Sequence, residues 1–261
     1  MTDGRFAGKV VIVTGAGVGI GAATAQRFAA EGATVIAVGR TEETLKQLAA
    51  SADGVVEAVV GDVSDQAGIA AVIDGVVARH GRLDVLVNNA GILVVGTVEQ
   101  VDAEAWRRVM ATNVDGIFFC SRAALPHLRA VGGCIVNVGS LSGFGGDWGL
   151  AAYNTSKGAV TNLTNVMALD HGPEGVRVNA VHPTLTATDM AAPQIARTEI
   201  HDGYLERIAM RRLAQPSDVA AAIAFLASAD ASFINGAHLM IDGGIRASSG
   251  QPNMRFDELV A

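Results

Sequence analysis

Short, continuous runs of β-branched residues alternate with longer helical stretches along this sequence. The runs span residues 9–14, 34–38, 55–60, 83–87, 135–138, 176–181 and 238–241. Continuous apolar runs of this length are typical of strands that are buried on both faces of a parallel sheet. Parallel neighbours must be joined by crossovers, which are almost always right-handed. The alternation therefore predicts an α/β protein in which residues 1–261 form one domain, with a doubly wound parallel sheet and helices on both faces.

The composition fits one large core and argues against several classes of protein. Of the 261 residues, 50% are hydrophobic, which is enough for a core of this size. The net charge of -7 argues against nucleic acid as a partner. No apolar stretch reaches the roughly 18 residues of a membrane span, and the histidines lack the spacing of a catalytic metal site. Cys120 and Cys134 follow no signal peptide, so a reduced, cytoplasmic setting is expected.

A glycine-rich turn joins the first strand to the first helix. It contains Gly15, Gly17, Gly19 and Gly21, with Val18 and Ile20 between them. Glycines at such a turn let the backbone approach a pyrophosphate, and the helix N-terminus presents unpaired N–H groups to the anion. A tight loop between a strand and a helix would explain the glycines alone. Because strand, glycines and helix are all in place, the turn favours dinucleotide binding.

A candidate active site lies between the fifth strand and the helix that follows it. Tyr153 and Lys157 are four residues apart, which puts phenol and ammonium on one helix face about 6 Å apart. An ammonium there favours the phenolate and lowers a phenol pKa that is ordinarily near ~10. Ser140 stands at the end of the strand, and Ser142 is a rival for the same role. An ordinary Tyr and Lys on a helix would have the same spacing.

Taken together and in order, these motifs resemble the classical short-chain dehydrogenase/reductase family. The matches are Gly15, Gly19 and Gly21, then the Asn-Asn-Ala-Gly of residues 88–91, then Ser140 with Tyr153-x-x-x-Lys157, and the resemblance covers residues 8–244. It implies a Rossmann-type, seven-stranded sheet in the order 3-2-1-4-5-6-7. It also implies that Ser140, Tyr153, Lys157 and Asn113 are catalytic and that the protein is a homotetramer.

The choice of cofactor depends on the end of the second strand. NAD-binding sites usually have an acidic residue there for the ribose 2′-hydroxyl, whereas this chain has Gly39, Arg40 and Thr41. A guanidinium suits a 2′-phosphate, so NADP(H) is favoured over NAD(H). Glu42 and Glu43 would oppose a nearby phosphate and leave NAD(H) open. The full predicted set of cofactor contacts is Gly15, Gly17, Val18, Gly19, Ile20, Gly21, Arg40, Thr41, Asp62, Val63, Asn89, Ala90, Gly91, Tyr153, Lys157, Pro183, Thr184, Thr186, Thr188 and Met190.

The resemblance implies an oxidoreductase that interconverts a secondary alcohol and a ketone. The predicted substrate contacts are mostly apolar and favour a bulky hydrophobic substrate; they are Ser140, Leu141, Ser142, Leu93, Val94, Val95, Phe144, Trp148, Leu185 and Met190. Two alternatives stay open. One is reduction of a 3-oxoacyl group on an acyl carrier protein, with Arg107, Arg108 and Arg129 as a docking patch. The other is a catalytically silent nucleotide-binding scaffold.

Three further segments carry predictions. One long helix is expected over residues 102–129, and residues 190–212 are expected to form a variable substrate lid. Relatives usually have Pro-Gly where this chain has Pro183-Thr184, which predicts a remodelled pocket near the nicotinamide. His182 is expected to pack under that loop rather than to take part in the reaction. Residues 245–261 are expected to form a polar tail.

Overall fold

The computed structural model describes residues 4–251, and these residues form a single seven-stranded parallel sheet. The strands are β1 (Val10–Thr14), β2 (Thr34–Gly39), β3 (Val55–Val60), β4 (Val85–Asn88), β5 (Cys134–Val138), β6 (Arg177–Pro183) and β7 (His238–Ile241). Their order is β3-β2-β1-β4-β5-β6-β7. The predicted fold class and strand order are therefore confirmed.

The helices between the strands cover both faces of the sheet. They are α1 (Gly19–Ala30), α2 (Glu42–Ser51), α3 (Gln66–His80), α4 (Ala103–Met110), α5 (Gly116–Val131), α6 (Ala151–His171), α7 (Ala192–Ile195), α8 (Thr198–Arg207) and α9 (Pro216–Ala227). Successive strand residues point to opposite faces, so Val11 and Val13 pack in one apolar layer with Phe28, while Ile12 packs in the other with Ile73. The central strands β1, β4 and β5 are buried along their whole length, which explains why they are continuously apolar. The edge strands β3 and β7 contain no buried residue, so for them the expected burial on both faces is wrong.

Strand order reverses direction between β1 and β4, which lie side by side. In sheets of this type ligands bind outside the carboxyl ends of the strands at such a switch point. The glycine turn follows β1, residues 88–91 follow β4, and Ser140 follows β5. The fold therefore brings the predicted motifs to one edge of the sheet.

The helix predicted over residues 102–129 contains a defect. The helical backbone continues from α4 to α5, but Ala111–Asp115 form a π-helical turn between them. Asn113 lies in this turn and is fully buried. A π turn inserts one extra residue into the helix, and here its position coincides with a predicted catalytic residue.

The segment after β6 folds over the same edge of the sheet. It contains the short helix α7 and the helix α8, and it is anchored where Thr186 pairs with Ala214. Residues 245–251, at the start of the predicted tail, continue as turns after β7, whereas residues 252–261 lie outside the described part of the chain.

Candidate active site

Ser140, Tyr153, Lys157 and Asn113 come from three neighbouring elements. Ser140 is extended and directly follows β5, Tyr153 and Lys157 lie in the first two turns of α6, and Asn113 lies in the π turn. The short 3-10 helix Leu141–Gly143 packs on α6, and a Cβ at Gly143 would lie 2.6 Å from the Lys157 carbonyl oxygen. Glycine at position 143 therefore allows the serine loop to approach the helix that carries Tyr153.

Lys157 is held rigidly inside the protein. Its side chain is 4% exposed, and its ammonium donates a hydrogen bond of 2.9 Å to the carbonyl oxygen of Val138. The same ammonium lies 5.7 Å from the centroid of the Tyr153 ring. Burial lowers the pKa of Lys157 to about 8, because the charged form loses water.

The protein alone does not give Tyr153 the lowered pKa that its spacing from Lys157 predicts. Burial raises the pKa of the phenol, a hydrogen bond with Ser140 lowers it, and the negative charge of Asp147 raises it further. The net pKa is raised. The Lys157 ammonium faces the Val138 carbonyl and the ring of Tyr153. Burial also removes the water that would stabilise the charged phenolate, and this raises the pKa of the phenol.

A hydrogen-bonded chain leads from Ser140 to the surface. The Ser140 hydroxyl donates to the Ser142 hydroxyl at 3.1 Å and accepts from the Ser142 backbone N–H at 3.2 Å. The Ser142 hydroxyl in turn donates to the exposed carboxylate of Asp147. Ser140 is the serine that lowers the pKa of the Tyr153 phenol, so it is the one next to that phenol, and Ser142 supports it from the outer side.

Asn113 ties the π turn to the loop after β4. Its side-chain oxygen accepts from the Ile92 N–H at 2.8 Å, and its amide nitrogen donates to the Ile92 carbonyl at 2.9 Å and to the Ser156 hydroxyl at 3.0 Å. Ser156 lies on α6 beside Lys157. The side chain of Asn113 therefore fixes three elements of the site relative to one another.

The glycine turn forms a compact cradle at the N-terminus of α1. Gly15 and Gly19 have φ angles of +63° and +58°, which favour glycine. A Cβ at Gly15 would lie 2.8 Å from the Ala90 Cα, and one at Gly19 would lie 3.1 Å from a methyl carbon of Thr188. No side chain caps α1 and its first turn has no acidic residue. Its free N–H groups and small residues fit a pyrophosphate.

The loop after β4 braces this cradle. Asn89 donates from its side chain to the carbonyl oxygens of Thr14 and Gly15. The backbone N–H groups of Asn89 and Ala90 donate to the hydroxyl of Thr14, which is 1% exposed. A Cβ at Gly91 would lie 3.6 Å from the Lys157 ammonium nitrogen. Nothing in the sequence distinguishes Thr14 from an ordinary β-branched strand residue.

A separate group of predicted cofactor contacts lies at the ends of β2 and β3. Arg40 and Thr41 are exposed. The Asp62 carboxylate accepts from the Ser64 N–H at 2.9 Å and from the Ser64 hydroxyl at 2.7 Å. Burial raises the pKa of Asp62, but these hydrogen bonds and the charge of Arg40 outweigh it, so the net pKa is lowered. The anionic Asp62 carboxylate and the exposed Arg40 guanidinium therefore lie close together, beyond the glycine cradle. Val63, another predicted cofactor contact, is buried in the core.

The loop after β6 carries the remaining predicted contacts. Pro183 pairs with Ile241 at the end of the sheet. The Thr186 hydroxyl donates to the Thr184 carbonyl at 2.9 Å, and Thr186 is buried. Through Thr188, which lies beside Gly19, this loop meets the glycine cradle. Thr184 is half-buried, and its backbone N–H donates to the Ile241 carbonyl at 3.2 Å.

The apolar predicted substrate contacts divide into two groups. The half-buried members are Leu93, Val94, Leu141, Phe144 and Leu185. Three others are largely exposed to solvent: Trp148 at 94%, Val95 at 68% and Met190 at 49%. The structure therefore does not bring Trp148 into an enclosed pocket, because residues 145–148 form an exposed loop whose glycines contact no neighbouring element.

His182 packs under the catalytic loop, as its sequence position predicts. It is fully buried, with Nδ1 3.1 Å from the Ser140 carbonyl oxygen and Nε2 2.9 Å from Nδ1 of His238. Nothing in the sequence near His182 identifies His238, which is 56 residues away and begins β7. Among residues 4–251, no group of His, Cys, Asp and Glu side chains could hold a metal ion. Over the same range no helix is both long and apolar enough to cross a membrane.

Comparison with known proteins gives a consistent result. A family model described as enoyl-(acyl carrier protein) reductase matches residues 15–246. The chain is 51% identical to the meso-2,3-butanediol dehydrogenase of Serratia marcescens, over 96% of this chain and 99% of that protein. It is 38% identical to the NADP-dependent (R)-specific alcohol dehydrogenase of Lentilactobacillus kefiri, over 95% of this chain and 100% of that protein.

Solved structures agree with the sequence comparisons. The crystal structure of a proposed NAD(P)-dependent gluconate 5-dehydrogenase from Beutenbergia cavernae, with bound NADP, superposes with a TM-score of 0.87 at 40% identity. The matched region covers 93% of this chain and 98% of the chain in that crystal structure. The strand order, the arrangement of Ser140, Tyr153 and Lys157, and these relatives show that this chain belongs to the classical short-chain dehydrogenase/reductase family.

Proposed function

We propose that this chain is an NAD(P)-dependent oxidoreductase that interconverts a secondary alcohol and a ketone. The observation that carries the proposal is the meeting of Ser140 and Tyr153 beside the buried ammonium of Lys157, at the carboxyl edge of the sheet. Relatives named as alcohol dehydrogenases, which this chain covers over nearly their whole length, support the same reaction.

Proton transfer at the substrate oxygen is the task of Tyr153. In alcohol oxidation its phenolate accepts the hydroxyl proton, and in ketone reduction its phenol donates one. The Ser140 hydroxyl donates a hydrogen bond to the same oxygen and stabilises the charge that develops there. When bound, a nicotinamide cofactor supplies or accepts the hydride.

Lys157 and Asn113 support this proton transfer. The Lys157 ammonium is held 5.7 Å from the centroid of the Tyr153 ring, so a positive charge lies near the phenol, although burial keeps the net pKa of Tyr153 raised. Asn113 holds the loop at Ile92 and the helix at Ser156 in fixed positions. Retention of all four residues argues against the alternative of a silent scaffold, because such a protein has no need of them.

We propose NADP(H) as the preferred cofactor, bound by the glycine cradle with its 2′-phosphate on Arg40. Arg40 is exposed beyond the cradle, and the residue before it is Gly39 rather than an acid. The lowered pKa of Asp62 keeps it an acceptor, suited to the adenine amino group. NAD(H) is the competing choice, since Glu42 and Glu43 begin α2 immediately after Thr41.

The substrate proposal is a bulky hydrophobic ketone or alcohol. The half-buried side chains of Leu93, Val94, Leu141 and Phe144 support it. A second candidate class is the small vicinal diol or hydroxyketone. It is favoured by the Asp147 carboxylate at the end of the serine chain, a hydrogen-bond acceptor for a second hydroxyl, and by the diol in the name of the Serratia relative.

Reduction of a 3-oxoacyl group on a carrier protein has weaker support. The family model's description names an acyl carrier protein, and such a partner is acidic enough to need a basic docking surface. Arg129, however, is paired with Glu174 at 2.7 Å. That ion pair leaves Arg107 and Arg108 to form the patch.

We propose a homotetramer that assembles through two separate faces. Exposed apolar side chains lie on one face at Phe118 of α5 and Leu169 of α6, and on another at Phe225 of α9 and Phe233. Two self-complementary faces are what a tetramer with dihedral symmetry requires. A cytoplasmic location is proposed from the two buried, unpaired thiols of Cys120 and Cys134.

The test is a spectroscopic assay of nicotinamide oxidation with NADPH or NADH. The panel contains aromatic and alicyclic ketones, acetoin-like hydroxyketones and 3-oxoacyl thioesters. Turnover of a ketone, lost in Tyr153→Phe, supports the proposal. Tight cofactor binding with no turnover across the panel supports the silent scaffold instead.

A further inference from the structure

The carbonyl group of Ser140 is held by two donors, one of which is a buried histidine. The Gly143 N–H donates to this carbonyl oxygen at 3.0 Å, and Nδ1 of His182 lies 3.1 Å from it. A carbonyl oxygen only accepts hydrogen bonds. His182 must therefore carry its proton on Nδ1.

A second histidine fixes that tautomer. Burial lowers the pKa of His182 to about 4, so the ring is neutral and its Nε2 is an acceptor at neutral pH. Nδ1 of His238 lies 2.9 Å from this Nε2 and must be its donor. Nε2 of His238 lies 2.8 Å from the side-chain oxygen of Asn165, at the surface of α6. With the proton of His238 on Nδ1, this contact is a hydrogen bond when the Asn165 amide is turned so that its nitrogen donates to Nε2. The chain of hydrogen bonds thus runs from Ser140 through two imidazoles to solvent.

Packing keeps the two rings in place. The Phe144 ring contacts both histidines edge-on, with centroid distances of 4.7 Å to His182 and 5.5 Å to His238. A Cβ at Gly139 would lie 2.4 Å from the His182 ring, so only glycine at this position lets the ring reach the serine. The imidazole of His182 therefore fits closely between the end of β5, the serine loop and β7.

We propose that His182, locked in one tautomer by His238, is a positioning residue for the Ser140 hydroxyl. By holding the Ser140 carbonyl, the Nδ1–H of His182 sets the orientation of the residue and with it the direction of Oγ. Without this donor the Ser140 carbonyl keeps only the Gly143 N–H, and the Ser140 hydroxyl, which donates to Ser142 at 3.1 Å, is held less firmly in its direction. The inference rests on the proposed role of Ser140, because it assigns His182 an effect only through that serine.

Two nearly isosteric substitutions separate the hydrogen bond from the packing. In His182→Asn the amide nitrogen is one bond from Cγ, as Nδ1 is, and still donates to the Ser140 carbonyl. In His182→Leu the shape is similar and the donor is absent. We expect His182→Leu to lower kcat about 10-fold to 100-fold with little change in the KM for the cofactor, and His182→Asn to recover most of that loss.

The Ser140→Ala background shows whether the effect passes through the serine. There His182→Leu is expected to change kcat less than about 2-fold, because residues that act as a unit are non-additive. Equal kcat for the Leu and Asn variants overturns the inference, and so does an undiminished effect in the Ser140→Ala background. Wild-type kcat in Ser140→Ala alone overturns the proposed role of Ser140 as well, so the two failures are distinguishable.

A second pair of variants covers the case in which His182→Leu does not fold. His238 is only partly buried, and His238→Asn keeps a donor to His182 that His238→Leu removes. The Leu variant is expected to lower kcat more than the Asn variant, with both variants still folded at the assay temperature in thermal unfolding. If the two His238 variants have the same kcat, the tautomer lock is refuted.

Discussion

Replacing Lys157 by methionine is expected to inactivate the protein and to change how its stability depends on pH. The pKa of Lys157 is lowered from 10.5 to about 8, a difference of about 2.5 units caused by burial. At about 1.4 kcal/mol per unit, keeping this ammonium charged inside the protein costs about 3 kcal/mol of folding free energy at neutral pH. The hydrogen bond to Val138 offsets part of this cost.

The sign follows from counting protons. Below pH 8 the lysine is protonated in both the folded and the unfolded state, and the full cost is present. Between about pH 8 and 10.5 the unfolded chain binds a proton that the folded chain does not, so the wild-type protein gains stability as the pH rises. Lys157→Met lacks this gain. The stability of the variant relative to wild type is therefore expected to fall by about 3 kcal/mol between pH 7 and pH 10.5.

Urea denaturation at several pH values measures this difference directly. Lys46→Met is the matched control, because Lys46 is exposed on α2 and its pKa is raised by its pairing with Glu42. The control is expected to show no loss of relative stability with rising pH over this range. A stability difference between Lys157→Met and wild type that stays constant from pH 7 to pH 10.5 would refute the reasoning.

Three further substitutions test other parts of the site. Asn113→Leu removes three hydrogen bonds and is expected to lower the free energy of unfolding by about 2–4 kcal/mol. The control Asn162→Leu, at an exposed position of α6, is expected to change it by less than about 0.5 kcal/mol. Equal losses in urea denaturation contradict the role of the buried amide. Arg40→Ala is expected to raise the KM for NADPH by about 10-fold or more and that for NADH by less than about 2-fold; equal changes in steady-state assays contradict the preference for NADP(H). Asp147→Asn removes a charge that raises the pKa of Tyr153, so the pH profile of kcat/KM for alcohol oxidation is expected to shift to lower pH, and an unmoved profile contradicts this coupling.

The fold was predictable because its signals are local and repeated. Each β-branched run predicts a strand, although the edge strands β3 and β7 are not fully buried. Right-handed crossovers leave few arrangements for strands that alternate with helices. The residues at which strands end could not be predicted in the same way. β6 extends through His182 and Pro183 because these residues pair with Met240 and Ile241 of β7, and nothing near residue 182 in the sequence reveals that partner.

The candidate site was predictable where spacing along one element decides the geometry. Tyr153 and Lys157 share a face of α6, and the glycine turn lies between a strand and a helix. The π turn around Asn113 could not be predicted, because it depends on hydrogen bonds to Ile92 and Ser156, which are distant in the sequence.

The directions of the pKa shifts in the site could not be predicted from the sequence either. The spacing of Tyr153 and Lys157 predicts a lowered phenol pKa, yet burial raises it and lowers the pKa of the lysine instead. Desolvation depends on how completely other elements cover a side chain. The exposure of Trp148 has a similar origin, because an apolar residue in a glycine-rich loop is buried only if another segment covers it.

The central claim is that the Tyr153 hydroxyl transfers the proton at the substrate oxygen. Tyr153→Phe keeps the ring beside the Lys157 ammonium and removes only that hydroxyl, so cofactor affinity measured by fluorescence titration is expected to change far less than kcat. The account predicts that kcat for a ketone and for its alcohol falls by about 10²-fold to 10⁴-fold in this variant. Turnover at the wild-type rate in the folded variant would contradict it.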